Sequence, residues 1–290
     1  MNNNMNKNMN KNIFTLSLNK CLFETTTFLM ESMILPWGED DQVVAAYANS
    51  TPCKPAEAQS LYIWHSYLSG STKPGLVLDI GAYSGIYSLL ACMSTPHIKS
   101  LAFEPSSVTF GRLSRNIALN KLFSRVIPFH GAAWSTNMQT QLPHRYGPLS
   151  LNSGDGLIAT EISDHEEYIS CMAPDSLLGN DPLPGAAGSK SLSSYRSLPI
   201  VAMKIDVEGA ELEVLNGSKQ IIDQYSPLII AEALDLNAQK ELRFFLEKLG
   251  YDVTFIDEDS NIIAYPPNKL KTGVSANPCC DFSRQFTYIL

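Results

Sequence analysis

The chain has 290 residues, of which 44% are hydrophobic and 17% charged, and a formal net charge of −8. This is the balance of a globular protein with a sizeable core. An acidic chain without a Lys/Arg cluster is not built to grip a nucleic-acid backbone, and no stretch reaches the roughly 20 apolar residues of a membrane span, so neither nucleic acid nor membrane is an expected partner.

The six cysteines show no Cys-x-x-Cys pair and no zinc spacing, which suits a reducing, cytoplasmic setting. The first 12 residues are Asn, Met and Lys only. They cannot bury enough apolar surface to repay ordering and are expected to be disordered. Residues 1–54 read as an N-terminal extension and residues 55–290 as one domain.

Regular patterning begins at 56–67, where Ala58, Leu61, Tyr62 and Trp64 recur at helical spacing. Residues 76–80 form a buried strand that breaks into Gly81-Ala82-Tyr83-Ser84-Gly85, and a helix follows over 86–93. A second strand, 100–104, stops at Pro105. The helix over 107–119 sets Phe110, Leu113 and Ile117 on one face. Strand 126–130 carries Pro128, which argues for a sheet edge. Residues 132–175 contain hairpin-like strands, one of them at 167–172. The Gly-, Pro- and Ser-rich stretch 179–198 reads as an exposed insertion loop. Then come a strand at 199–203, a helix from about Ala210, a strand at 227–231, and a helix over 238–249 capped by Gly250. Strands at 251–256 and 261–265 follow, with a further candidate at 286–290. Repeated strand–helix units predict an α/β fold, a parallel sheet with helices on both faces. Such sheets bind ligands beyond the carboxyl ends of their strands.

The glycine turn lies at such an end. Asp79 closes the strand before it, and Glu104 closes the next strand, where an acid can accept both hydroxyls of a ribose. The turn is not Gly-x-Gly-x-x-Gly, and Asp79 would repel a phosphate. A nicotinamide dinucleotide therefore fits poorly. A nucleoside with a positively charged end fits better, and S-adenosylmethionine is such a ligand. On this reading the cofactor contacts are Asp79, Gly81, Ala82, Tyr83, Gly85, Glu104, Pro105 and Ala132.

The stretches "VLDIGAYSGIYS" (77–88), "AFEP" (102–105), "RNIALN" (115–120), "MKIDVEGAELEVLNGS" (203–218) and "PLIIAE" (227–232) resemble the FkbM-type family of class I S-adenosylmethionine-dependent methyltransferases. The resemblance covers roughly residues 72–265, and the Lys-Ile-Asp-Val-Glu-Gly-Ala-Glu run is its most specific part. Two features depart from the family pattern: Tyr83 stands where many relatives have Asn, and the 179–198 loop is long. The resemblance implies a doubly wound, mostly parallel, seven-stranded Rossmann-like sheet in three α/β/α layers, with the last strand antiparallel. It also implies methylation of a hydroxyl group on a small metabolite, sugar or natural product. N-methyl transfer, or binding of S-adenosylmethionine without turnover, are the alternatives. No oligomeric state is implied.

Four carboxylates, Asp206, Glu208, Glu211 and Glu213, crowd the end of strand 199–203. Glu211 and Glu213 sit in the first turn of a helix, where acids suit the positive end of its dipole. Asp206 and Glu208 follow a central strand and are expected to face the acceptor hydroxyl, joined by Glu232 from the next strand. Asp206 is the first choice of general base. A divalent cation held by these acids is chemically possible but is not expected. Lys204 is expected on the opposite side of its strand, anchoring a neighbouring carboxylate, and His130 is expected to pack or pair.

Overall fold

The computed structural model describes residues 13–18, 26–31, 57–143, 166–180, 195–256 and 260–267. The disorder expected for residues 1–12, the strand expected at 286–290 and most of the 179–198 loop lie outside these residues.

A central sheet of seven strands runs through the described residues. Its strands are β3 (Gly75–Ile80), β4 (Ile98–Glu104), β5 (Val126–His130), β9 (Ile200–Ile205), β10 (Leu228–Glu232), β11 (Asp252–Ile256) and β12 (Asn261–Tyr265), in the spatial order β11-β12-β10-β9-β3-β4-β5. β12 is antiparallel to both neighbours, while β10, β9, β3, β4 and β5 pair in parallel. This is the doubly wound α/β sheet with an antiparallel last strand. β5 takes the edge, where the missing N–H of Pro128 costs no ladder bond.

All six residues of β3 are buried, as expected of a strand covered on both faces. Side chains alternate between two cores. Val77, Ala102 and Ala202 pack with Leu61, Trp64, Leu90 and Leu113, from helices α1 (Ala58–Ser69), α2 (Ile86–Ser94) and α3 (Ser107–Leu119). Leu78, Leu101, Met203 and Ile205 pack on the other face with Val214, Ile221 and Leu246. Those three come from α4 (Glu211–Asn216), α5 (Lys219–Tyr225) and α6 (Leu236–Lys248). The ends of α6 follow local chemistry. Asp235 caps its start by accepting from the N–H groups of Asn237 and Ala238 at 2.8 and 2.9 Å. Gly250 ends it at φ 85°, a conformation glycine adopts without penalty.

Two smaller sheets flank this frame. β6 (Ala132–Ala133), β7 (Met138–Pro143) and β8 (Glu166–Met172) form one, in the order β6-β8-β7. β1 (Ile13–Leu18) and β2 (Thr26–Glu31) form an antiparallel ribbon with β2 beside α2 and α3. The ribbon has no counterpart in the sequence reading, because Asn19, Lys20 and three threonines break its apolar pattern. At the far end of the Gly- and Ser-rich loop, Tyr195 is buried, and its hydroxyl donates to the carbonyl of Ser124 at 3.3 Å. No described helix is long and apolar enough to cross a membrane.

Candidate active site

A cleft opens at the carboxyl edge of β10, β9, β3 and β4. Asp79, Gly81, Ala82, Tyr83, Glu104, Pro105, Ala132, Asp206, Glu208 and Glu232 all line it. Gly85 stands behind it instead, at the start of α2 with φ 91°, where an added Cβ would come 2.6 Å from Leu113.

Backbone hydrogen bonds hold the floor of the cleft. The N–H groups of Gly81 and Ala82 donate to the carbonyl of Phe103 at 3.1 and 2.8 Å, and Asp206 N–H donates to the carbonyl of Ile80 at 2.9 Å. The approach between the β3 turn and the end of β9 is so close that only glycine fits at 81. Its φ is 77°, and a Cβ there would lie 1.7 Å from the carbonyl oxygen of Asp206. Tyr83 follows at φ 50°, a left-handed conformation that Asn tolerates better than a bulky ring.

At one end of the cleft Glu104 is held by both oxygens. Tyr83 N–H donates to Oε2 and Ser106 N–H to Oε1, each at 2.9 Å. A carboxylate accepts about four hydrogen bonds, so this grip orients the group while leaving it able to accept more. Asp79 is tied to α2: Ser88 donates to its Oδ2 from the backbone at 2.8 Å and from the hydroxyl at 2.6 Å. Burial pushes the Asp79 pKa up to about 6, against the lowering effect of those bonds and of Lys204.

The other end gathers acids from β9 and β10. Asp206, Glu208 and Glu232 each bring an oxygen within 4.8 Å of the others. Glu208 reaches its place through a left-handed turn, at φ 56°. Glu211 is buried beneath that turn and accepts from Val207 N–H at 3.2 Å and Gly209 N–H at 3.1 Å. It is a structural acid, and burial raises its pKa. Burial pushes Glu232 up to about 9, helped by the charges of Asp206 and Glu208.

Lys204 corrects the sequence expectation. It does not point away from the acids. Residues 204 and 206 are two apart on an extended strand and so share a side. Lys204 Nζ donates to Asp206 Oδ2 at 3.1 Å and to Asn261 Oδ1 at 2.9 Å, and lies 3.8 Å from Glu57. It does anchor neighbouring carboxylates, as expected, and it also lines the cleft. Glu57 in turn accepts from the Tyr87 hydroxyl at 2.6 Å. Asn261 pairs in register with Glu232 across β12 and β10. Glu57 and Asn261 gave no signal in the sequence, because both reach this edge from remote elements. His130 is not among the residues lining the cleft. It stacks on Phe110 at 4.7 Å between ring centroids and lies 3.3 Å from Glu167.

Residues 192–253 match the Methyltransferase FkbM domain model. The methyltransferase sdnD of Sordaria araneosa is 28% identical over 197 residues, covering 61% of this chain and 74% of the relative. The hexuronic acid methyltransferase AglP of Haloferax volcanii is 26% identical over 199 residues, covering 68% and 72%. Among solved structures, a methyltransferase FkbM from Methylobacillus flagellatus is similar with a TM-score of 0.45 and 15% identity. That similarity covers 66% of this chain and 44% of the other, less than half of its length.

Proposed function

The chain is a relative of the FkbM-type methyltransferases, and we propose that it is itself an S-adenosylmethionine-dependent O-methyltransferase acting on a hydroxylated small molecule. The observation that carries this reading is the division of one cleft into two ends. An oriented acid, Glu104, stands at one end, and three clustered acids, Asp206, Glu208 and Glu232, stand at the other.

The donor set fits the cofactor. Glu104 offers the two oxygens that a pair of ribose hydroxyls needs, and Gly81, Ala82, Tyr83, Pro105 and Ala132 form the walls around it. When bound, S-adenosylmethionine supplies a methyl group on a sulfonium, already a good leaving group, so alignment provides much of the acceleration. Asp206 takes the proton of the acceptor hydroxyl. Glu232, its pKa raised to about 9 first by burial and then by the charges of Asp206 and Glu208, holds a proton near neutrality, and a hydrogen bond with Asp206 helps keep it there. Lys204 fixes Asp206 in place.

Among the described residues lining the cleft, Lys204 is the one cation, and Asp206, Asn261 and Glu57 already engage it. The acceptor is therefore neutral or cationic at its reacting end. A hexuronic acid, which the name of the archaeal relative specifies, would have to keep its carboxylate away from this edge.

Titration calorimetry with S-adenosylhomocysteine tests the reading. The wild-type chain should bind, and Glu104→Ala should lose roughly 1–3 kcal/mol, the scale of hydrogen bonds to a charged group. Labelled methyl should then pass from S-adenosylmethionine to a member of a hydroxylated sugar and metabolite panel. No binding by the wild type sinks the reading. Binding without transfer across such a panel would turn it into a binding module, with Tyr83 the first residue to suspect.

A further inference from the structure

Ser106 sits at the N-cap of α3, with extended backbone at φ −73° and ψ 125°, yet its side chain makes no capping hydrogen bond. Serine at this position ordinarily accepts from the second or third N–H of its helix. Here Glu167, reaching over from β8, accepts from Ser107 N–H at 3.0 Å. Glu167 thus satisfies the first N–H of the helix, which an N-cap side chain does not serve, while the Ser106 hydroxyl accepts from neither the second nor the third. The residue is 4% exposed, and its Oγ has no hydrogen-bond partner. A buried hydroxyl left unpaired is costly, and most such groups in folded proteins find a partner. Ser106 lines the cleft, and its own N–H is one of the two that orient Glu104.

From these observations we infer that the Ser106 hydroxyl is a cofactor-recognition group, hydrogen-bonded to the nucleoside half of the bound S-adenosyl ligand beside Glu104. This inference rests on the cofactor reading given above. A hydroxyl both donates and accepts, so it suits a ribose hydroxyl or a purine ring nitrogen equally. Ser106 therefore has two parts: its backbone orients the acid, and its side chain contacts the ligand.

The test is Ser106→Ala, followed by melting of the ligand-free protein and by calorimetry with two probes. These are S-adenosylhomocysteine and 5′-methylthioadenosine, which keeps the nucleoside and lacks the amino-acid end. Because the hydroxyl caps nothing, the melting temperature of the ligand-free variant should not fall. Affinity for both probes should drop by the same factor, about 3- to 10-fold for one hydrogen bond. Unchanged affinity for both probes overturns the inference while leaving the cofactor reading intact. So does a loss seen only with S-adenosylhomocysteine, or a lowered melting temperature that reveals a capping role. If wild-type protein binds neither probe, the cofactor reading itself fails and this inference falls with it.

Discussion

Lys204 Nζ lies 3.1 Å from Asp206 Oδ2, on one side of β9, with the lysine 2% exposed and the aspartate side chain 30% exposed. Burial works against charge on the lysine, but Asp206 and Glu57 outweigh it and hold the lysine pKa above its ordinary value. The pair therefore joins a permanently charged, buried anchor to a carboxylate that reaches the cleft. Such an arrangement fixes where the carboxylate points, which is what a general base requires.

Asp206→Asn keeps size and hydrogen bonding but removes the base. Turnover should fall by about 10²–10⁴-fold, while affinity for S-adenosylhomocysteine stays within a few-fold of wild type. The lysine loses part of its compensation, so the variant should also be less stable by roughly 1–3 kcal/mol in urea unfolding. Glu213→Gln, in the first turn of α4, should leave turnover alone and cost at most about 1 kcal/mol. Normal turnover by Asp206→Asn would remove it from the mechanism.

Glu232 sets a pH dependence whose sign follows from its raised pKa. The native chain binds this proton more tightly than the unfolded chain does. The stability it contributes is complete below about pH 4.5 and is lost as pH rises through about 9. Asp79 and Glu211 act in the same direction, but both are common to wild type and variant, so the difference between the two isolates Glu232. Glu232→Gln mimics the neutral acid and does not titrate. With a chelator present, its melting temperature relative to wild type should rise steadily from pH 6 to pH 9. A gap that does not change with pH would show that Glu232 does not titrate in this range.

The sheet was legible because its strands are continuous apolar runs ended by Gly, Pro or an acid, and because each helix between them carries a clear apolar face. The edge position of β5 followed from Pro128 alone. Most of the cleft was legible for the same reason: strand ends converge by topology, so Asp79, Glu104, Asp206 and Glu232 had to share one edge. What escaped is what depends on three dimensions. Lys204 was placed on the wrong side although the period of a strand already sets it beside Asp206. Glu57 and Asn261 reach the site from distant elements, which no local pattern reports. Ser106 carried no signal in the sequence, because a hydroxyl buried without a partner at the cleft is set by what packs around it.

Gly81 and Tyr83 test the backbone of the turn. Gly81→Ala would place a Cβ 1.7 Å from the Asp206 carbonyl oxygen at a φ of 77°, so the variant should fail to fold stably, and circular dichroism melting will show it. Tyr83 holds φ 50° at a strain cost. Tyr83→Asn should relieve it and stabilise the protein by about 1 kcal/mol. Loss of stability in that variant would mean that the ring's packing outweighs the strain.

The last prediction concerns a cation at the acid cluster. Oxygens of Asp206, Glu208 and Glu232 within 4.8 Å of one another are close enough for a divalent ion to bridge them, since such ions take carboxylate oxygens at about 2.0–2.6 Å. A metal there would lower the pKa of the acceptor hydroxyl and make a base unnecessary. One feature argues for the metal-free mechanism: Lys204 already places a positive charge against Asp206. Turnover should therefore survive exhaustive treatment with a chelator. If activity instead disappears and returns with magnesium or manganese, Asp206 is a metal ligand rather than the base. Asp206→Asn would then owe its defect to lost metal affinity, which higher magnesium would partly restore.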